Sequence, residues 1–328
     1  MALDTTLLTR TTRELFLPVL KNNIYNETPL MSILLSKGRV KEWRGRSLLW
    51  DVIAEKHSPV GYFQGYSTIP NQPANPIQQA TLPNANYVAT ISISKEEEKL
   101  NSGNVERLLG ILETQMKNAE ATLRDKIATD IYGSGTLVGS MQPIVGLGAA
   151  VAISANTYAN ISRSAYTFWA NGYSSSAHTA ANMKDPTHAS YLPSLMYTAF
   201  TTATHDGSPD YIVTTKKIFN IYMLIAQTTN LRFGNANANL GFAGVSFMDG
   251  TNLIFDDYCT ANYMYFLNSN DWSFHVVPGA NFDFDEDGGS MWKQPTDQLA
   301  RLAHLIWMGQ LRLDAPWQQY VYSSLAAT

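Results

Sequence analysis

The feature of this sequence that most constrains its fold is a two-armed extended segment, followed directly by one long amphipathic pattern. Residues Leu48–Ile53 are apolar enough for a strand, and Tyr87–Ser94 alternate between apolar and polar side chains, as a strand with one buried face does. The stretch between the two arms is unfavourable for a helix and carries little apolar volume, since it contains Pro59, Gly61, Gly65, Pro70, Pro73, Pro76 and Pro83. An isolated two-stranded ribbon is marginally stable in water, and its open edges favour pairing with another chain. The segment therefore predicts a ribbon that lies on a neighbouring subunit.

A single long helix is predicted immediately after the second arm. Asn104 is a suitable N-cap and Gly133 a suitable stop, so the helix would run for roughly 28 residues and about 42 Å at 1.5 Å per residue. Its apolar residues recur every three or four positions: Val105, Leu109, Leu112, Met116, Ala119, Leu123, Ile127 and Ile131. This one face predicts a helix laid across a sheet rather than a coiled coil, because the heptads are few. The charged residues are expected in solvent or at subunit contacts: Glu106, Arg107, Glu113, Lys117, Glu120 and Arg124.

Composition narrows the class of protein. The 328 residues are 45% hydrophobic and 15% charged, which is typical of a folded chain with a sizeable core. The single cysteine, Cys259, excludes an intramolecular disulfide and a cysteine-based metal cluster, and it fits a reducing cytoplasm. No secretory signal or run of about 20 apolar residues is present, so no membrane association is expected. The net charge of −4 disfavours a protein that wraps nucleic acid.

The first forty or so residues predict an extended arm with a short helix near its end. Thr28 followed by Pro29 is a helix start, and Gly38 is its stop. A basic run follows the helix, opposed only by Glu42: Lys37, Arg39, Lys41, Arg44 and Arg46. This run could contact phosphate or an acidic neighbour, although a solvated surface is the favoured interpretation.

The remainder of the chain predicts a mixed α+β region. Residues 133–181 and 231–250 are rich in small residues and predict loops, while 192–204 predict a short helix and 211–215 a strand that leads into another helix. Three aromatic-rich strands are expected at 253–256, 263–267 and 272–277, with 268–271 as a hairpin turn between the last two. The final segments, 302–313 and 317–322, predict a closing antiparallel pair beneath the long helix.

One string is similar to a calcium loop. Asp283, Asp285 and Asp287 occupy its first, third and fifth positions, and Gly288 occupies the sixth. The twelfth position, where a bidentate glutamate is needed, is Gln294, and the flanks do not predict helices. An acidic surface turn is therefore favoured, with weak cation binding as the alternative.

The other candidates for chemistry also favour structural interpretations. His178 and His188 lack zinc-site spacing, and His205-Asp206 predicts a surface turn more than a catalytic dyad because no nucleophile elbow accompanies it. Cys259 is expected to be buried and inert. Two glycine pairs, Gly133/Gly135 and Gly146/Gly148, lack the lysine of a phosphate loop and are interpreted as flexible. A further set of residues could stack bases but is interpreted as core or interface: Tyr258, Tyr263, Tyr265, Phe266, Trp272 and Phe274. The sequence thus predicts no catalytic, cofactor-binding or metal residues, no cofactor, and no enzyme.

The order of arm, ribbon, long helix, glycine-rich segment, mixed region and closing strands resembles the major capsid proteins of tailed bacteriophages, the Hong Kong 97-type fold. The resemblance covers nearly the whole chain. Asn23–Leu30 (NIYNETPL) lies in the arm, and Asn160–Trp169 (NISRSAYTFW) looks like the G-I-D-R-x-x-x-x-W-W segment of many phage coats. Tyr211–Thr215 (YIVTT), leading into a helix, is similar to another recurring piece.

The resemblance implies an α+β phage major capsid fold in four parts. The N-arm would span 1–45 and the E-loop ribbon 46–95. A peripheral domain with the long spine helix would span 96–134 and 296–328, and an axial domain 135–295. The implied function is a non-enzymatic coat protein that assembles as pentamers and hexamers into an icosahedral shell around double-stranded DNA.

The resemblance also implies partners and a location. Besides further copies of the chain, these are a scaffolding protein, a portal, a decoration or cement protein, and packaged DNA bound without sequence specificity, in a virion capsid assembled in the host cytoplasm. Because the arm begins almost at Met1, the scaffold is expected to be separate or absent. No lysine lies between Lys56 and Lys95, so noncovalent contacts, rather than a lysine cross-link in the ribbon, are expected to hold the shell. The alternatives are an encapsulin-type nanocompartment that holds a cargo enzyme, and a hydrolase using His205 and Asp206.

Overall fold

The computed structural model describes residues 29–36, 39–54, 56, 60–68, 76–100, 105–228, 244–286, 290–296 and 298–326. Several predicted features lie outside these residues: the arm up to residue 28, the helix stop at Gly38, the cap at Asn104, and residues 231–243 of the predicted loop. The described residues form an α+β fold, as predicted.

Four of the seven described helices were predicted, whereas those at 95–100, 147–150 and 180–184 were not, and the last two interrupt the segment 133–181 that was predicted as loops. The helices are α1 (Pro29–Ser36), α2 (Lys95–Leu100), α3 (Val105–Ile131), α4 (Leu147–Ala150), α5 (Ala180–Lys184), α6 (Leu192–Ala203) and α7 (Lys216–Thr228). The long helix α3 has 27 residues and packs against the sheet strand that precedes it. Met116, Leu123 and Ile127 on its apolar face are buried, as the periodicity predicts. Glu120 was predicted in solvent or at a subunit contact, but it is buried within the subunit, since it lies one turn from Met116 at the margin of the apolar face.

A four-stranded sheet has the order β1-β13-β14-β4. Its strands are β1 (Val40–Glu42), β4 (Ala85–Ser94), β13 (Trp272–Phe284) and β14 (Ala300–Leu313). β14 pairs antiparallel with both β4 and β13, whereas β1 pairs parallel with β13. In β4, Ile91 and Ile93 are buried and Val88 is exposed, so the predicted buried face is confirmed.

A six-stranded sheet has the order β10-β11-β9-β12-β15-β7. Its strands are β7 (Gly172–Ser174), β9 (Tyr211–Thr214), β10 (Gly244–Ser246), β11 (Asn252–Phe255), β12 (Met264–Leu267) and β15 (Tyr320–Tyr322). Smaller pairs join β2 (Ser47–Ile53) to β3 (Ile77–Pro83), β5 (Thr157–Tyr158) to β6 (Ile161–Ser162), and β8 (His178–Thr179) to β16 (Leu325–Ala326). Helices α6 and α7 pack on the six-stranded sheet through a separate apolar cluster.

Three predicted pairings are wrong. The second arm of the ribbon is β3, not Tyr87–Ser94, because β4 instead joins β14 in the four-stranded sheet. Residues 268–271 do not form a hairpin turn; the chain passes through a 3₁₀ turn at 269–271 from one sheet to the other. The segments 302–313 and 317–322 do not pair, since β14 and β15 belong to different sheets. The predicted loop 231–250 also contains β10 and a 3₁₀ turn at 248–250 among its described residues.

Close packing, rather than flexibility, explains the glycine pairs after α3. Gly148 donates its backbone N–H to the Gly133 carbonyl at 3.1 Å, so the turn folds back onto the helix end. A Cβ on Gly146 would lie 2.1 Å from the Ile131 carbonyl oxygen. Ordinary van der Waals contact requires more than 3 Å, and both atoms belong to the backbone, so no side chain can relieve the clash.

We expect Gly146→Ala to lower the free energy of unfolding by about 3 kcal/mol, because its methyl group displaces buried backbone. Urea unfolding of the unassembled subunit measures this loss. Gly139→Ala is the control: a Cβ there meets nothing within 4 Å, and the backbone φ of +64° alone should cost about 1 kcal/mol. Equal stability of the two variants would show that the Gly146 contact does not constrain the fold.

Candidate assembly interface

The ribbon of β2 and β3 buries its base and exposes its distal end. At the base, Leu48 and Leu82 are paired in register and are only 3% and 2% exposed. At the distal end, Ile53 and Ile77 are paired in register and are 73% and 54% exposed. Ile53 is five residues from Leu48, and Ile77 is five from Leu82, so the distal pair lies on the opposite face of the ribbon, which the subunit leaves uncovered.

The segment beyond the ribbon presents aromatic side chains to solvent. Tyr62, Phe63 and Tyr66 are exposed, with Tyr62 and Tyr66 as open as in an extended chain. The backbone between them turns at Gly65, which has a φ of +56°, and the Ser67 N–H donates to the Gln64 carbonyl at 3.1 Å. A contiguous exposed apolar patch in a protein marks an interaction site. We call residues 60–68 the ribbon tip.

Contacts at the base hold the ribbon on the body of the subunit. The Arg312 guanidinium of β14 lies 4.7 Å above the ring centre of Trp50 in β2, which is a cation–π geometry. Arg312 also pairs with the Asp314 carboxylate. On the other strand, the Thr81 N–H donates to the Ala159 carbonyl at 2.9 Å. Both strands of the base are thus anchored to the body of the subunit, whereas the aromatic side chains of the tip are exposed.

An open groove of about 410 Å³ lies between α3 and β4. Polar and apolar side chains both line it. They include Val88, Thr90 and Ser92 from the strand and Gln115, Asn118 and Thr122 from the helix. Val88 is 60% exposed, and β4 is an edge strand of the four-stranded sheet among the described residues.

The capsid-like segment Asn160–Trp169 forms a buried junction. Arg163 is 1% exposed, and its guanidinium donates to the Ala149 carbonyl at 3.0 Å and to Asn156 Oδ1 at 2.9 Å. It also donates to the carbonyls of Ala150 and Trp169. Burial lowers the pKa of the guanidinium to about 10. These four acceptors offset the cost of burying the charge, so the arginine joins α4 to the 3₁₀ turn at 167–169.

The indole of Trp169 completes this junction. It is fully buried, its Nε1 donates to the Tyr158 carbonyl at 3.2 Å, and it stacks on the Tyr158 ring with 6.0 Å between centroids. The Tyr158 hydroxyl accepts the Leu313 N–H at the end of β14. The segment therefore connects the loops before β7 to the four-stranded sheet, and its role is structural.

The acidic turn does not assemble a ligand set in the described residues. Asp285 pairs with Lys293 at 2.5 Å, which lowers the pKa of its carboxyl, and Asp283 lies within β13. Asp287 and Gly288 lie outside the described residues. In the part of the chain that the structure describes, no group of three or more His, Cys, Asp or Glu side chains could hold a metal ion.

The structure does not bring the histidine and cysteine candidates into a common site. His205 and Asp206 are exposed in a turn, where the His205 N–H donates to the Gly207 carbonyl. His178 is buried 6.1 Å from the Tyr322 ring, whereas His188 is exposed in a loop. Cys259 is buried, and burial raises the pKa of its thiol, as expected for an inert cysteine.

The aromatic residues after 257 are packed rather than available to bases. Tyr265, Phe266, Trp272 and Phe274 are at most 3% exposed. Tyr258 and Tyr263 are half-buried against the main core. Sequence reasoning overlooked two contributors to the interface: the tip aromatics, which are visible as three rings within five residues, and the Trp50–Arg312 contact, which has no local signal.

No described helix combines the length and the apolar character that crossing a bilayer requires.

Comparisons with known proteins identify the fold. No family model and no curated protein matches the chain. Among solved structures, the capsid of cyanophage A-1(L) superposes with a TM-score of 0.65 and 19% identity, over 93% of this chain and 94% of that one. The capsid of a native GTA particle gives a TM-score of 0.56 and 13% identity, over 90% and 91%. The SrpI encapsulin of Synechococcus elongatus PCC 7942 gives 0.52 and 9%, over 88% and 86%.

The chain therefore has the tailed-phage capsid fold, as the sequence resemblance predicted. The match extends over most of both chains and is therefore larger than one supersecondary motif.

Proposed function

We propose that this chain is the major capsid protein of a tailed bacteriophage, and that it assembles as pentamers and hexamers into an icosahedral shell around double-stranded DNA. The observation that carries the proposal is the ribbon tip, whose aromatic side chains are exposed on a subunit that has a capsid fold. A subunit alone leaves this apolar surface in water, and a lattice of copies covers it.

The proposed mechanism is shared burial. Fully burying an aromatic or large aliphatic side chain contributes about 1.5–3 kcal/mol. Each subunit would contribute its tip to one neighbour and receive a tip from another, a head-to-tail contact that closes into rings. The assembled subunits are then more stable than the same subunits in isolation, and the stability of the shell depends on the subunit concentration.

The division of the chain follows from this proposal. We assign 1–45 to an N-arm, 46–95 to an E-loop, 96–134 and 296–328 to a peripheral domain, and 135–295 to an axial domain. Four strands are exceptions to these ranges. We place β4 with the peripheral domain because it pairs with β14, and β16 with the axial domain because it pairs with β8. We place β13 with the peripheral domain because it pairs with β14, and β15 with the axial domain because it pairs with β12 and β7.

The proposed partners are further copies of the chain, a scaffolding protein, a portal, a decoration or cement protein, and the packaged DNA. The proposed location is the virion capsid, after assembly in the host cytoplasm. The net charge of −4 supports a shell that encloses DNA without binding it tightly. On this proposal the chain is structural and has no enzymatic activity.

An encapsulin-type nanocompartment is the second candidate, because the SrpI encapsulin shares the fold. The TM-score of 0.65 to the cyanophage capsid, against 0.52 to the encapsulin, favours the phage coat.

The content of the shells separates the two candidates. We expect shells isolated from infected or induced cells to contain DNA that resists nuclease until the shells are opened. Agarose gel analysis before and after heat opening, with free DNA as the digestion control, measures this. Shells that contain one abundant foreign protein and no protected DNA would instead identify a nanocompartment.

A further inference from the structure

A cluster of carboxylates lies where the chain crosses between the two sheets. Asp271 ends the 3₁₀ turn between β12 and β13, and Asp314 follows β14, with the Asp314 N–H donating to the Asp271 carbonyl at 2.9 Å. Asp210 precedes β9, and its carboxylate accepts the Ser269 N–H at 2.7 Å in the same turn. Three separate elements thus bring like charges to one junction.

Two arginines near this junction each also contact another part of the chain. Arg39 immediately precedes β1 and donates to both the backbone carbonyl and the Oδ1 of Asn270, the latter at 2.7 Å. Arg312 pairs with Asp314 and stacks on Trp50 of the ribbon base. The carboxylates therefore lie near both the segment that follows α1 and the base of the ribbon.

Strand β1 is a short edge strand whose own side chains contribute little packing. It has three residues, all of them exposed, and it pairs only with β13 in the described sheet. Trp43, directly after β1, packs against the main core, so apolar burial acts at one end of the strand. The other contacts are backbone hydrogen bonds, including the Phe274 N–H to the Arg39 carbonyl and the Trp43 N–H to the Val276 carbonyl, each at 3.0 Å, and the side-chain bonds from Arg39 to Asn270 beside the cluster.

The carboxyl of Asp271 has a pKa shifted toward neutral pH. Burial, and secondarily the charge of Asp314, raise the pKa of its carboxyl to about 7, while Arg39 opposes the rise. The other groups that act on it are Asp210, which raises its pKa, and Gln319, whose Nε2 donates to it at 3.1 Å. Burial, and secondarily the charges of Arg312 and Lys41, lower the pKa of His275 to about 4, so His275 is neutral through this range.

We propose that the Asp210–Asp271–Asp314 cluster is a proton-operated latch on β1, which holds Arg39 when Asp271 is ionised and loosens it when Asp271 is protonated. The latch controls how firmly the segment that leads into the ribbon is attached to the subunit body. It is a property of the single subunit and does not depend on the shell assignment.

Ionisation of Asp271 is expected to strengthen the attachment of β1 and to lower the stability of the whole subunit. This difference in sign makes the latch testable. An aspartate has a pKa of about 3.9 when unfolded, so a folded value near 7 means that its ionisation costs fold stability as the pH rises from 4 through 7. The attraction to Arg39 has the opposite dependence, because Arg39 lowers the pKa of Asp271 and its docking is therefore favoured by ionisation. Removing the charge should raise global stability and weaken β1.

Hydrogen–deuterium exchange of the full chain, at a matched assembly state and corrected for the intrinsic effect of pH, tests the latch on peptides spanning residues 39–46. In the wild type we expect protection to fall roughly three- to tenfold between pH 8.5 and 6, since a tenfold change corresponds to one pKa unit. Asp271→Asn should show, at every pH, the weak protection that the wild type shows at pH 6. Its melting temperature at pH 8 should nevertheless equal or exceed that of the wild type.

Two further variants complete the test. Arg39→Gln should also show weak, pH-independent protection, whereas Arg44→Gln, exposed and outside the cluster, should follow the wild type. A wild-type profile without pH dependence, or the same pH dependence in Asp271→Asn, would overturn the proposal. So would a variant in which β1 protection and melting temperature fall together, because that is ordinary destabilisation.

Discussion

Replacing the tip aromatics together, as Tyr62→Ser, Phe63→Ser and Tyr66→Ser, should abolish shell formation and leave the subunit folded. These side chains are exposed in the subunit, so their loss removes no internal packing. In the proposed lattice each ring is buried against a neighbour and contributes about 1.5–3 kcal/mol per subunit, repeated at every contact. Sedimentation velocity at matched concentration should show shells for the wild type and small species for the variant.

The control for this variant is a substitution of equal size at an exposed aromatic elsewhere. Tyr197→Ser on α6 removes a half-exposed ring outside the ribbon. We expect the tip variant to have a melting temperature within about 2 °C of the wild-type subunit, since surface changes of this kind cost at most about 0.5 kcal/mol. Normal shells from the tip variant would mean that the tip is not an assembly surface, and loss of shells from both variants would mean that the effect is unspecific.

Arg163→Met should be the most damaging single change inside the subunit, with a loss of about 3–5 kcal/mol of unfolding free energy. The methionine fills the volume but leaves three buried carbonyls, those of Ala149, Ala150 and Trp169, without their donor. Denaturant unfolding of the unassembled subunit, monitored by tryptophan fluorescence, measures the change.

Two further arginine variants distinguish geometry from charge. Arg163→Lys keeps the charge but cannot reach four acceptors on different sides, so it should recover only a minor part of the loss. Arg44→Met, at an exposed position, is the matched control and should change stability by less than about 0.5 kcal/mol. If Arg163→Met were as stable as Arg44→Met, the buried junction would have no energetic role.

The features that could be predicted from the sequence are those that a local pattern determines. The bounds of α3 follow from its periodicity and Gly133, and the buried face of β4 follows from alternation over Tyr87–Ser94. Helix α6 and strand β9 were also predicted within one residue of their ends. In each case the information lies within about one helical turn or one strand of the residue concerned.

The features that could not be predicted depend on which strands meet. β3 contains Thr81 and Leu82 but ends at Pro83, and its proline-rich approach hid the second arm of the ribbon. Asn268–Asp271 has the composition of a hairpin turn, yet the chain there changes sheets, because β12 pairs with β9 and β15 rather than with β13. Pairing between strands is set by burial across the whole chain, which local composition does not record.

The candidate interface was predicted in kind but not in detail. The ribbon was expected to need a neighbour, and its exposed distal end agrees with this. The partners of Arg163 are mostly backbone carbonyls, which leave no signature in sequence, so its role followed only from the structure. Likewise the pKa of Asp271 is raised by burial and then by Asp314 and Asp210, which lie 43 and 61 positions away in the sequence.

Negative-stain electron microscopy of the full chain, expressed alone and with its neighbouring genes, tests the central proposal most directly. The account predicts closed shells or flat sheets of hexamers that appear as the subunit concentration rises, and that are absent for the tip variant at the same concentration. Monodisperse small oligomers under every condition, from a wild-type chain that is folded by circular dichroism, would contradict it.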